Sequence, residues 1–210
     1  MITPSKEFWK IFKETDGALS CSEAVAIMNI AAQAPEGTWM ELGTHKGKSA
    51  MAAIFSNEPS TLFFLIDPEF GKTINAYNVI QGILKASNRE DKLVWMDAFS
   101  TDVIEKFNGY SYVFIDSGSH QDGLPMQEVR LLEDKMVKGG IIVFHDWDSQ
   151  FVEVKQASDY LVGTGKYEYI SIDWELIIKY VNENNLEEGN KSWHHNELRN
   201  PCFVGAVRRK

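Results

Sequence analysis

Apolar residues along this chain fall into short, nearly continuous runs separated by longer stretches of helical period. Five runs stand out: GTWMEL (37–42), TLFFLID (61–67), KLVWMDA (92–98), YSYVFID (110–116) and GGIIVFHD (139–146). A strand covered on one face alternates apolar and polar positions, whereas a strand covered on both faces is apolar throughout. These runs therefore predict a parallel sheet between two helical layers, an α/β protein. The segment LPMQEVRLLEDKMVK (124–138) predicts a helix, with Pro125 in its first turn and Gly139 just past its end.

Two helices precede the first run. In one, Phe8, Ile11 and Phe12 share a face by their spacing. The other opens at Ser20-x-x-Glu23, a capping box that satisfies the first orphan amides, and runs to Pro35. Both predict a cap or an added layer. Past residue 147 the pattern gives a helix at about 151–162 and strands at KYEYISI (166–172) and CFVGAVRR (202–209). Between those strands, Trp174, Ile177, Ile178 and Val181 fit a helical face, although WELIIKY also suits a strand. NENNLEEGNKSWHHNELRNP reads as a polar loop, and this excursion is expected to be a lid or a neutral insertion.

The chain has 210 residues, 44% hydrophobic and 24% charged, which suits one domain with a substantial core. Its formal net charge of −9 repels phosphate backbones, which argues against a nucleic-acid partner. The basic run Arg208-Arg209-Lys210 reads as a solvated end. Cys21 and Cys202 form no CxxC pair and read as reduced thiols of a cytoplasmic protein. MITPSKEFWKIFKET matches neither a signal peptide nor a membrane span, because charges interrupt it. The expected partner is a small molecule, with no nucleic acid and no membrane; a homo-oligomer is left open.

Chemistry concentrates where the apolar runs end. Four of the five carry an acidic residue at or within two positions of the end, where open α/β sheets bind ligands. The first run leads into ELGTHKGKSA (41–50). Its Gly47-Lys48-Ser49 has the letters of a phosphate-gripping loop, and YVFID resembles the acidic strand that accompanies such loops, so a nucleotide hydrolase is one reading. That loop needs four residues between its glycine and Gly-Lys-Ser, and here three separate Gly43 from Gly47. Glu41 would also set a negative charge beside polyphosphate. A dinucleotide loop fits no better, since Thr44 stands where a glycine lets backbone approach pyrophosphate. An acidic residue before the turn suits a neutral or cationic ligand instead.

The run Glu41-Leu42-Gly43-Thr44-x-x-Gly47-x-Ser49 resembles motif I of class I S-adenosylmethionine-dependent methyltransferases. Asp67 and Asp97-Ala98, ending the second and third runs, match that family's later motifs. YVFIDSGSHQDGLPMQEVRLLEDKMVKGGIIVFHD is similar to the branch whose fourth strand ends in Ile-Asp followed by His, and whose fifth ends in His-Asp. The resemblance covers residues 37–148. It implies a Rossmann-like, seven-stranded, mostly parallel sheet with an antiparallel last strand and helices on both faces. Residues 1–210 would form a single methyltransferase domain. Its parts would be N-terminal helices (1–36), a cofactor-binding core (37–148), and a C-terminal part (149–210) with an insertion at about 173–200.

By the same resemblance, Glu41, Gly43, Thr44, Gly47 and Ser49 surround the methionine part of S-adenosylmethionine. Asp67 receives the ribose hydroxyls, Asp97 and Ala98 flank the adenine, and Asp116 lines the same pocket. Metal-dependent small-molecule O-methyltransferases carry divalent-metal ligands at the positions of Asp116, His145 and Asp146. His120 becomes a candidate general base, although many relatives place that histidine three residues after the aspartate and here it follows by four. An oxygen-rich set ranks Mg²⁺ or Mn²⁺ ahead of Zn²⁺ or Fe²⁺. The bland reading makes the strand-end aspartates helix caps and the histidines partners of loop carbonyls. The implied activity is methyl transfer to a hydroxyl of a sugar or other metabolite. A non-catalytic cofactor-binding module of the same fold is the remaining alternative.

Overall fold

The computed structural model describes residues 1–56, 62–68, 93–118, 122–147, 151–189 and 204–210. Helix α1 (Lys6–Glu14) starts where Ser5 Oγ accepts the Phe8 N–H at 3.1 Å, and it buries Phe8, Trp9 and Phe12. Trp9 takes the inward place expected of Ile11, which is only half-buried. Helix α2 (Cys21–Ala31) opens with the full capping box of Ser20 and Glu23. Ten of its eleven residues are buried, so it is a core helix with little solvent face.

Strand β1 (Thr38–Leu42) leads to α3 (Lys48–Phe55), and β2 (Phe63–Ile66) and β3 (Leu93–Met96) follow. Next come α4 (Ser100–Ile104), β4 (Tyr110–Ile115), α5 (Leu124–Leu132) and β5 (Met136–Phe144). The chain finishes with α6 (Val152–Gly163), β6 (Tyr167–Tyr169), α7 (Trp174–Glu183) and β7 (Gly205–Arg209). WELIIKY is thus helical, and Ile177 and Val181 are the buried positions of α7. No helix among the described residues is long and apolar enough to cross a membrane.

The seven strands form one sheet in the order β3-β2-β1-β4-β5-β7-β6. Strands β1 to β5 pair in parallel, while β7 is antiparallel to both β5 and β6. One face packs against α1, α2, α3 and α7, around Trp39, Tyr112, Phe114 and Val143. The other packs against α4, α5 and α6, around Met40, Leu42, Val113 and Phe144.

One boundary departs from expectation. The helix read as running to Gly139 stops at Leu132, and Met136 is already paired with Tyr110 in β5. Gly139 lies inside the strand at φ 78°, where the pairing of β4 with β5 shifts register. A Cβ on its neighbour Gly140 would come within 2.9 Å of the Val137 carbonyl oxygen. The two glycines therefore permit an irregularity in the strand and do not end the helix.

Candidate active site

Strand register brings the acidic ends level. Leu42 pairs with Ile66 on one side and Ile115 on the other, and Ile115 pairs with Phe144. The residues one step further, Gly43, Asp67, Asp116 and His145, therefore emerge together at the C-terminal edge of the sheet. Between β1 and β4 the strand order reverses, and an open α/β sheet forms its ligand crevice at such a reversal. A cavity of about 540 Å³ opens there, lined by Gly43, His45, Asp67, Phe99, Asp116 and Leu124, among others. A recess of about 40 Å³ adjoins it and reaches Thr44, Ser49 and His145. Ala18, from the loop between α1 and α2, lines both, so the N-terminal segment forms part of the wall.

The turn after β1 is tight. Gly43 and Thr44 both donate their amides to the Ile66 carbonyl, at 2.9 and 3.2 Å, and the Gly47 amide bonds the Thr44 carbonyl at 2.7 Å. Gly43 sits at φ 84°, and a Cβ there would fall 2.1 Å from the Asp116 carbonyl oxygen. The glycine is needed so that the ends of β1 and β4 can touch, which its expected role beside a cofactor did not foresee. Gly47 caps α3 in the left-handed region at φ 75°. Lys48 is buried, with its Nζ 4.6 Å above the Phe12 ring, and burial lowers its pKa to about 8. The Gly-Lys-Ser letters thus begin a helix whose lysine packs against α1.

Glu41 is fully buried beneath the turn, and its Oε1 accepts the Ser49 hydroxyl at 3.1 Å. Burial raises its pKa well above the usual carboxylate range; Asp116 and Asp67 add to the effect and the Ser49 bond opposes it. Asp67 Oδ2 accepts the His45 N–H at 2.6 Å, while the His45 residue itself is exposed. Asp97 and Ala98 follow β3, but the nearby residues that line the cavity are Phe99, Ser100 and Thr101.

Asp116, His145 and Asp146 converge, with one ligand atom from each lying within 4.8 Å of the others. His145 Nδ1 is 3.2 Å from Asp116 Oδ1 and 3.4 Å from Asp146 Oδ2. Asp146 adopts φ 55°, a left-handed conformation that aspartate tolerates better than most residues. Burial alone would lower the His145 pKa, but the charge and hydrogen bond of Asp116 outweigh it, helped by the nearby carboxylates of Asp146 and Glu23. The result lies well above the ordinary imidazole value. The surroundings of His145 therefore stabilise positive charge.

Several participants were missed from sequence, Glu23 and Ala18 among them. Glu23 was read only as a cap, yet its Oε1 lies 3.5 Å from His145 Nε2. Ala18 carried no signal at all, being a small residue in a loop. His120, His194, His195 and Cys202 lie outside the described residues.

A doubly wound sheet with acidic strand ends around a cavity at its switch point defines a cofactor-binding α/β protein. The family model described as a methyltransferase domain matches residues 40–147, and the chain belongs to that family. Its activity is accordingly S-adenosylmethionine-dependent methyl transfer. No curated protein matches the chain in sequence. Among solved structures, a methyltransferase from Geobacter sulfurreducens superposes with a TM-score of 0.66 at 8% identity, covering 100% of this chain and 91% of that one. An O-methyltransferase from Bacillus cereus in complex with SAH gives 0.64 at 9% identity, covering 100% and 94%. A candidate rRNA methylase from Clostridium thermocellum gives 0.57 at 12% identity, covering 91% and 99%. At these identities the structural likeness speaks for the fold.

Proposed function

We propose that this methyltransferase acts on a hydroxyl oxygen of a small molecule, such as a sugar or another hydroxylated metabolite, with a divalent metal beside the acceptor. The observation that carries the reading is the meeting of Asp116, His145 and Asp146 at the edge of the cofactor cavity. The net charge of −9 favours a small acceptor over RNA.

In this reading Gly43, Thr44, Gly47 and Ser49 surround the methionine part, with Glu41 supporting the turn from beneath. Asp67 takes the ribose hydroxyls, and its bond to His45 holds the carboxylate in place. Asp97 and Ala98 belong to the adenine end, where Phe99 adds an apolar wall. Asp116, His145 and Asp146 would hold the metal, whose donor set fits because two carboxylates and an imidazole already converge. When bound, the cofactor supplies the methyl group and the metal lowers the pKa of the acceptor hydroxyl. The protein's own residues position and exclude water: an in-line displacement needs the acceptor oxygen aligned with the carbon–sulfur bond that breaks. The hydroxyl proton passes to a base, for which His120 is the candidate.

Turnover measured over hydroxylated small molecules and RNA fragments, with and without chelator, tests the reading. Asp146→Ala should abolish turnover and leave cofactor affinity within about threefold, since Asp146 lines neither the cavity nor its recess. Full activity in that variant or in excess chelator overturns the metal, and activity on RNA alone overturns the acceptor class.

A further inference from the structure

We propose that Glu23, in the first turn of α2, orients the His145 imidazole toward the metal, and that this histidine makes the site prefer Mn²⁺ to Mg²⁺. The inference rests on the metal reading above. It concerns a residue that comes from outside the strand ends and that the sequence marks only as a helix cap.

The two ring nitrogens of His145 face different surroundings. Nδ1 points between Asp116 Oδ1 and Asp146 Oδ2, at 3.2 and 3.4 Å, into the group of convergent ligand atoms. Nε2 points the other way, 3.5 Å from Glu23 Oε1. His145 is 3% exposed and Glu23 1%, so the contact between them is closed to bulk water. An imidazole that ligates a metal through one nitrogen carries its proton on the other. A carboxylate partner at that proton fixes the ring and raises its basicity toward the metal.

Glu23 is built to be that partner, because its two oxygens are divided between two tasks. Oε2 accepts the Ser20 N–H and the Ser20 hydroxyl, each at 2.8 Å, which pins the carboxylate to the start of α2. Oε1 has no hydrogen-bond partner among the described residues and faces Nε2. The ordinary use of a capping glutamate leaves one oxygen to water; here α2 is packed so deeply that this oxygen meets the imidazole instead. With its tautomer set this way, His145 presents a nitrogen donor alongside the two carboxylates. A nitrogen donor favours Mn²⁺ and later transition ions over Mg²⁺, which prefers oxygen and retained water.

Glu23→Gln separates orientation from capping. Its amide oxygen still accepts the Ser20 N–H, but its NH₂ now faces Nε2 and moves the ring proton to Nδ1, where the metal would bind. Ser20→Ala weakens the capping box and leaves Glu23 opposite His145. The full chain is titrated with Mn²⁺, reading the free ion by electron paramagnetic resonance, with Mg²⁺ as competitor and thermal melts in parallel. The wild type should bind Mn²⁺ and release it only to a large excess of Mg²⁺. Glu23→Gln should weaken Mn²⁺ binding about 10- to 100-fold, and Ser20→Ala should stay within about twofold. Equal affinity in wild type and Glu23→Gln overturns the inference while the metal reading stands. An equal loss in both variants assigns Glu23 to capping alone and also overturns it. A wild type that binds no Mn²⁺ overturns both. A measurement free of variants is ¹⁵N resonance of the Zn²⁺-loaded wild type, where the His145 proton is expected on Nε2; a proton on Nδ1 overturns the inference.

Discussion

The two faces of the sheet are lined by alternate residues of the same strands, yet they bury different chemistry. Along β1, Trp39 belongs to the cluster under α2 and α3, while Met40 and Leu42 belong to the cluster under α5 and α6. The α2 face buries Glu41, His145, Glu23 and Lys48 close to the ligand edge. The opposite face is a mostly apolar core of Val113, Val129, Leu132, Phe144 and Leu161, with one fully buried carboxylate, Glu128, bonded by Ser117. Charge taken out of water destabilises a fold unless it is paired. The α2 face accepts that cost to create a cation-favouring pocket, and the other face supplies compensating apolar burial. Function and stability are thus separated across the thickness of one sheet.

Gly43→Ala should break this arrangement most severely. Its Cβ would overlap the Asp116 carbonyl, and the backbone would be strained at φ 84°. A loss of about 3 kcal/mol or more is expected, together with loss of cofactor binding. Denaturant unfolding and calorimetric titration check the two parts. On the apolar face, Leu161→Ala should cost about 2–5 kcal/mol yet leave cofactor affinity within about twofold. A large change in affinity there would show that the faces are not separate.

The smallest effect is expected from Glu41→Gln. The Glu41 carboxyl has a raised pKa in the folded protein, so its contribution is fully present below the unfolded value of about 4.3 and is lost as pH rises through the folded value. The glutamine variant does not titrate and should gain stability relative to wild type as pH climbs from about 4.3 toward neutrality. Denaturant melts across that range give the difference; a constant gap between the two proteins would show that Glu41 stays ionised.

All seven strands were legible: β1, β2, β4 and the second half of β5 because strands buried on both faces leave little freedom in composition, and the less buried β3, β6 and β7 from their apolar and aromatic letters. Their ends were legible too, since Asp67, Asp116 and His145-Asp146 stand directly after apolar runs. The misread boundary at Gly139 has a local cause: glycine serves a helix end and a strand irregularity equally well, and only pairing with β4 decides between them. Glu23 was legible as a cap, because capping depends on a four-residue pattern. Its contact with His145 spans the chain from α2 to β5 and depends on how a helix rests on the sheet, which no spacing records. The burial of Lys48 over Phe12 was hidden for the same reason, since it is set by the packing of α1.

The position of β7 also bears on how the molecule comes to exist. Strand β7 lies between β5 and β6, and among the described residues β6 pairs with no other strand. Strand β6 precedes β7 in the chain but has no place in the sheet until β7 has docked on β5 across a closure of roughly 60 residues. The order of assembly at this edge therefore runs against the order of the chain. Such a long-range pairing is expected to form late and slowly, after the strands that carry the ligand edge have already met.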